Sequence, residues 1–280
     1  MSRNNNRTGA AALQAPEPVS NFNNQIQTVH ISTPTHFVEL PSKGLLYPAN
    51  HPLHKKETIE LKFMTAKEED ILASEQLIRK GVVLDRFMES LIIDKSIDPL
   101  SLLVCDRTAV LIEARINGYG PQYQVDVGCG TCGAVNAVDY DLEEREVSFV
   151  DSDERGLYSI TSRGTFVTTL PRSQAEIEFK LPTGKDEKIH SLTTEKNNLV
   201  SSTVTDQLKR IIISVNGNGD VGFVQAFANT MPAMDSRHLR TVLKKATPDY
   251  KLQYDMVCDK CGTSQEVVIP VGTKFFWPDA

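Results

Sequence analysis

The sequence predicts an α+β protein of two strand-helix-hairpin halves, joined through a zinc-ribbon-like site of four cysteines. Three observations carry this. Two Cys-x-x-Cys-Gly segments, Cys129–Gly133 and Cys258–Gly262, are each flanked by alternating apolar residues, the mark of a β-hairpin. Helical periodicity precedes each of them. The order of signals in the first half recurs in the second, with 23 residues from Asp106 to Cys129 and 23 from Asp235 to Cys258.

Residues 1–35 hold Asn, Gln, Ser, Thr and Pro with few large apolar groups. Such a segment cannot bury enough surface to offset its ordering entropy, so a disordered tail is expected there. The first half, 36–140, opens with Phe37–Leu40, a short strand running into the turn Pro41-Ser42-Lys43-Gly44. Thr58–Phe63 alternates as a half-buried strand. Thr65 and Glu68 form a capping box for a helix expected to reach Lys80 and stop at Gly81. Val83, Phe87 and Leu91 fall on one stripe of a second helix. Asp98-Pro99 marks a third helix start and Asp106 a fourth, which turns Val110, Leu111 and Ala114 inward. Tyr123, Val125 and Val127 then lead into the first cysteine pair. Residues 141–180, with the charged run Asp141–Arg155, are expected to be connector and some strand, and 181–280 the second half.

Several segments of the second half echo the first. Leu181-Pro182-Thr183-Gly184 resembles the turn at 40–44, and Leu192–Glu195 resembles Met64–Glu68. Ile211–Ile213 matches Leu91–Ile93, and Asp220 matches Asp98. Gln124-Val125-Asp126 and Gln253-Tyr254-Asp255 precede the two cysteine pairs. The pattern fits a diverged duplication, or two halves that use the same turn and cap chemistry independently.

The cysteines carry the chemistry. Two thiolates three positions apart on a tight turn reach one tetrahedral ion, and the following glycine lets backbone amides approach the sulfurs. Each pair supplies two ligands and a closed structural site needs four, so Cys129, Cys132, Cys258 and Cys261 are expected to share one zinc ion. Most ribbons place about 15–20 residues between their pairs, against 125 here. Loop-closure entropy grows only logarithmically with length, so the long insertion is permitted. With sulfur in every position no water remains to activate, and the metal is expected to be structural. Redox chemistry is disfavoured, because neither pair opens a helix.

Other patterns have plainer explanations. Gly217–Gly222 matches G-x-G-x-x-G, but Leu208, Ile211, Ile212 and Val215 lie at helical spacing with Gly217 as their stop, and no βαβ series surrounds them. His51 and His54 flank a proline in an expected solvated loop, and Cys105 sits in an apolar run as a buried thiol. No catalytic constellation stands out, and the chain is not expected to be an enzyme. Its formal charge of −6, from 30 cations and 36 acids, disfavours nucleic-acid binding by bulk charge. No apolar run has the length of a membrane span, and the first residues lack the pattern of a signal peptide. The aromatic end, Phe275-Phe276-Trp277, either pins the terminus to the core or offers an anchor to a partner.

Leu40-Pro41-Ser42-Lys43-Gly44 with Tyr47-Pro48, the helix start Met64–Leu72, Cys129–Gly133 after Gly118-Tyr119-Gly120, and Phe275–Pro278 together resemble the base plate protein family of contractile-tailed bacteriophages, over roughly 37–280. The resemblance implies a structural or assembly protein of the baseplate hub, working by contact with other tail proteins and without a small-molecule substrate. It implies a site of action in the host cytoplasm during assembly or in the tail baseplate of the virion. A rival expectation from a different class is a zinc-ribbon regulator that binds nucleic acid. Thr131, Ala134, Asp259 and Thr263 around the knuckles give it little support beside the single Lys260.

Overall fold

Thr35 opens the first strand of the computed structural model, which describes residues 33–150, 156–189, 204–269, 271, 275 and 276. Most of the expected tail, the Leu192–Glu195 echo and Trp277 lie outside the described residues.

Strands β1 (Thr35–Glu39) and β2 (Thr58–Lys62) pair antiparallel, with Val38 opposite Ile59 and both facing the core. Between them runs the turn at Pro41–Gly44. Gly44 has φ +69°, and a Cβ there would fall 2.4 Å from Lys56 N, so both the backbone angle and the space demand glycine. His51 and His54 sit in this long connection but are not free in solvent. The His51 ring stacks on Tyr47 at 4.3 Å and meets Ser101 Oγ at 2.8 Å, and His54 Nδ1 lies 2.7 Å from Tyr47 O.

The capping box forms as expected, but the helix it opens is shorter. α1 (Ala66–Leu72) ends at Ala73, and Ser74 starts a separate α2 (Glu75–Arg79) before Gly81 turns the chain at φ +64°. The extended ψ of Ser74, 101°, breaks the helix between the two. Glu68 lies fully buried at the junction. Its carboxylate accepts from Thr65 N–H at 3.0 Å, from the Thr65 hydroxyl at 2.6 Å, from Lys62 Nζ at 2.6 Å and from the Ser90 hydroxyl. Burial works against its ionisation, yet these donors more than offset that and hold it down to about 2.

α3 (Val83–Leu91) buries Val83, Phe87, Met88 and Leu91. Asp98 caps a 3₁₀ turn (Pro99–Ser101) by accepting from Leu100 N–H at 3.0 Å. α4 (Val104–Tyr119) begins two residues before the expected start at Asp106. Asp106 therefore does not cap its own helix. Its buried carboxylate turns outward from α4 to Ser42, accepting from Ser42 N–H at 3.1 Å and Ser42 Oγ at 2.6 Å, and from Tyr47 OH at 2.7 Å. Cys105 is buried beside it, and burial pushes its thiol well up, the behaviour of an inert core group.

β3 (Gln122–Gly128) and β4 (Val135–Asp141) form the first cysteine hairpin, with Val125 opposite Val138 and Val127 opposite Asn136. The inward face of β4 carries Asn136, Val138 and Tyr140, all buried, while Val135 on the other face is 68% exposed. Residues 141–180 carry substantial sheet. β5 (Glu146–Ser148) pairs with a strand near the C-terminus, and β6 (Ser159–Ile160), β7 (Phe166–Thr169) and β8 (Glu176–Phe179) form a sheet. Residues 184–189 are helical (α5). α6 (Val204–Ile211) leads straight into β9 (Ile212–Val215), which completes the four-stranded antiparallel sheet in the order β6-β7-β8-β9.

This corrects the expectation that Leu208–Val215 is a single helix. Ile212 and Val215 are claimed by pairing with Phe179 and Ile177, and their β-branched side chains suit that sheet. The segment before Gly217 is thus a strand, but it lies in an antiparallel sheet. Asp220 caps α7 (Val221–Thr230), its carboxylate accepting from Phe223 N–H at 2.8 Å. An acid occupies the place a dinucleotide phosphate would need. α8 (Ala233–Ala246), β10 (Asp249–Lys251), β11 (Gln253–Val257) and β12 (Ser264–Val268) follow, with β10 paired to β5 and β11 to β12.

One continuous buried cluster runs through both parts of the chain. Phe275 and Phe276 are pinned into it. Phe275 meets Tyr123 and Phe276 meets Phe87, each at 4.8 Å edge to face. Arg115, 3% exposed, ties this end down by donating to Phe275 O at 3.1 Å, Gly120 O at 2.7 Å and Gln122 O at 3.0 Å. For these two aromatics the core-pinning reading holds.

Candidate metal centre

Each cysteine pair sits at the tip of its hairpin, and the two tips share one backbone pattern. Cys129 N–H donates to Ala134 O at 2.8 Å and Gly133 N–H to Cys129 O at 2.9 Å. Cys258 N–H donates to Thr263 O at 3.0 Å and Gly262 N–H to Cys258 O at 2.8 Å. Gly133 and Gly262 both have φ +69°, a left-handed turn that accounts for glycine after the second cysteine of each pair.

The fold brings the tips together across 125 intervening residues. Cys129 Sγ lies 3.7 Å from Cys261 Sγ and Cys132 Sγ lies 3.7 Å from Cys258 Sγ, and all four sulfurs fall within 4.8 Å of one another. Four thiolates about 2.3 Å from a common centre would stand about 3.8 Å apart along each tetrahedral edge. All four cysteines are free thiols. The donor set and its spacing are able to hold a metal ion.

Electrostatics argue the same way. The Cys261 amide, with that of Lys260, pulls the Cys258 thiol down to about 6. The Thr263 hydroxyl, 3.3 Å from Cys261 Sγ, lowers that thiol as well. Ala134's amide favours ionised Cys132, but burial and the three neighbouring sulfurs push it up to about 12. Adjacent thiolates repel, so the cluster cannot ionise fully unless a cation joins it. Cys129 and Cys258 are buried, while Cys132 and Cys261 are exposed at the rim.

Two residues that carried no weight in the sequence lock the tips to each other. Asn136 Oδ1 accepts from Asp259 N–H at 3.0 Å, and Gln265 Oε1 accepts from Gly130 N–H at 3.1 Å. Each amide side chain lies four positions after the second cysteine of its own pair and bonds the residue after the first cysteine of the other. That shared offset was present in the sequence, and only the approach of the hairpins gives it meaning.

A second correspondence lies away from the sulfurs. Asp235, in the first turn of α8, accepts from Arg172 N–H at 2.7 Å and Ser173 N–H at 3.0 Å, in the turn Leu170-Pro171-Arg172-Ser173 between β7 and β8. Asp106 does the same for Leu40-Pro41-Ser42 between β1 and β2. Leu181–Gly184, the expected echo, instead lies along Leu102–Val104, with Val104 N–H to Pro182 O at 3.1 Å and Gly184 N–H to Leu102 O at 2.9 Å. No helix among the described residues is long and apolar enough to cross a membrane.

The chain is a mixed helix-and-sheet scaffold with one core, and four cysteines cluster where two of its hairpins meet. Residues 33–277 match the family described as T4 bacteriophage base plate protein, and the chain belongs to that family. No curated protein and no solved structure matches the chain. The family implies a role in the phage tail baseplate and contact with other tail proteins.

Proposed function

We propose that this chain is a structural or assembly protein of the baseplate hub, held as one body by a single zinc ion on Cys129, Cys132, Cys258 and Cys261. The observation that carries the metal reading is the convergence of four sulfurs within 4.8 Å from hairpins far apart in sequence. With every coordination position taken by thiolate the ion is structural, and the protein acts by surface contact, without catalysis. The two tips form a zinc ribbon split by a long insertion.

The two halves are diverged copies. Three correspondences support this: the matched knuckles, the reciprocal Asn136 and Gln265 bonds, and the two aspartates holding Leu-Pro turns. The repeat pairs Leu40-Pro41 with Leu170-Pro171, so the second copy begins near β7 and takes in part of the expected connector. Docking with hub proteins takes place in the host cytoplasm during assembly.

Co-purification of the tagged chain with tail proteins from infected cells tests the assembly role, and its failure to bring down any tail component would reject it. Native mass spectrometry tests the metal, with one zinc mass expected on the folded chain. Salt-sensitive gel shifts with DNA or RNA at the knuckles would instead favour the regulator.

A further inference from the structure

We propose that the exposed face of α8 is a docking surface for a carboxylate-rich segment of a partner protein. Arg237, Arg240, Lys244 and Lys245 of α8, with Lys251 of β10 and Thr241, line a shallow concavity of about 680 Å³. All five cations are exposed, and no acid lines the concavity. Among the described residues, none of the four on α8 has a carboxylate within 4.0 Å; Lys251 reaches Glu146 at 3.9 Å. The chain as a whole carries −6, so with these five cations set aside the remainder carries −11. An anionic partner complements that separation of charge.

Helix stability accounts for part of the cluster only. Lys244 and Lys245 in the last turn complement the helix dipole, while Arg237 and Arg240, further toward its N-terminus, gain nothing from it. The core-facing residues Leu239, Val242 and Ala246 lie on the opposite side, so the basic face supports no packing of its own.

Protein is favoured over nucleic acid because no aromatic side chain lines the concavity to stack a base. The inference rests on the assembly reading and adds the chemistry of the partner to it.

Fluorescence anisotropy of a labelled oligoglutamate peptide with the full-length protein tests it. Binding that weakens steeply as salt rises is expected, with a loss of about tenfold or more in Arg240→Gln/Lys244→Gln/Lys245→Gln. A control that neutralises Lys55, Lys67 and Lys80, exposed and outside the lining of the concavity, should bind nearly as the parent does. Should the triple variant unfold, Arg240→Gln and Lys244→Gln are measured singly, each with a smaller loss expected. The proposal is overturned if the peptide does not bind, if both triple variants lose affinity equally, or if an oligothymidylate of equal charge binds more tightly than the peptide. Co-purification from infected cells separates the two readings. Tail proteins retained equally by the α8 variant would sink this surface and leave the assembly role standing. A chain that binds oligoglutamate through α8 yet recovers no tail protein would reject the assembly role alone.

Discussion

Asn136 and Gln265 stand in reciprocal positions across the four-cysteine cluster, Asn136 holding the amide of Asp259 at 3.0 Å and Gln265 the amide of Gly130 at 3.1 Å. Each fixes the turn that presents the other hairpin's first cysteine. The sulfurs are therefore positioned mainly by bonds between the two turns, with Gln265 Oε1 also 4.0 Å from Cys129 Sγ.

Replacing either amide tests that positioning. Asn136→Ala or Gln265→Ala should weaken metal retention about 10- to 100-fold, as loss of groups that orient ligands does. Competition with a chromogenic chelator measures it, and unchanged retention in both variants would refute the role.

Loss of a ligand should be more severe. Cys129→Ser or Cys258→Ser removes a buried donor and should abolish stoichiometric zinc binding and lower the thermal midpoint. Elemental analysis alongside a melting curve checks this. A metal-free protein with an unaltered melt would show the ion to be dispensable.

Asp106 should matter to stability on the scale of an aliphatic core residue. Asp106→Ala strips the partners from Ser42 N–H, Ser42 Oγ and Tyr47 OH in a buried site, at a cost of about 2–4 kcal/mol. Asp235→Ala should do less, since its acceptors serve two amides. Chemical denaturation of the two variants gives the order directly.

Glu68 sets an acid limit. Its carboxyl is held at about 2 in the fold against 4.5 ordinarily, so the unfolded chain binds the proton first. The stabilisation is fully present above about pH 4.5 and is lost as pH falls toward about 2, a change on the order of 2–3 kcal/mol. Glu68→Gln should flatten the stability profile across that window and leave its shape near neutrality unchanged. Urea titrations at a series of acid pH values would reveal a persisting slope if another group were responsible.

Truncating the C-terminal anchor should destabilise the whole molecule. Phe276→Ala leaves a void against Phe87 and should cost about 3–5 kcal/mol. A loss under about 1 kcal/mol would mean that this end contributes little to the core.

Much of the architecture was legible because it depends on local chemistry. The capping box at Thr65 and Glu68, the apolar stripe Val83, Phe87, Leu91 and the left-handed glycines after each cysteine pair are dictated by neighbours in sequence. The errors fell where distant strands compete for the chain. Ile212–Val215 carries helical spacing yet joins β8, a strand more than 30 residues away.

What the sequence alone determined is the inventory: two pairs of thiols on hairpin tips, helices and strands in alternation, and no strong charge excess. Only tertiary structure decided that the thiols meet, that Asp106 and Asp235 hold turns far from their own helices, and that five cations share one face. The reason is physical. Caps, turns and periodicity act over a few residues, whereas the meeting of two hairpins depends on burying one shared core, whose gain is spread over many side chains and visible in none of them singly.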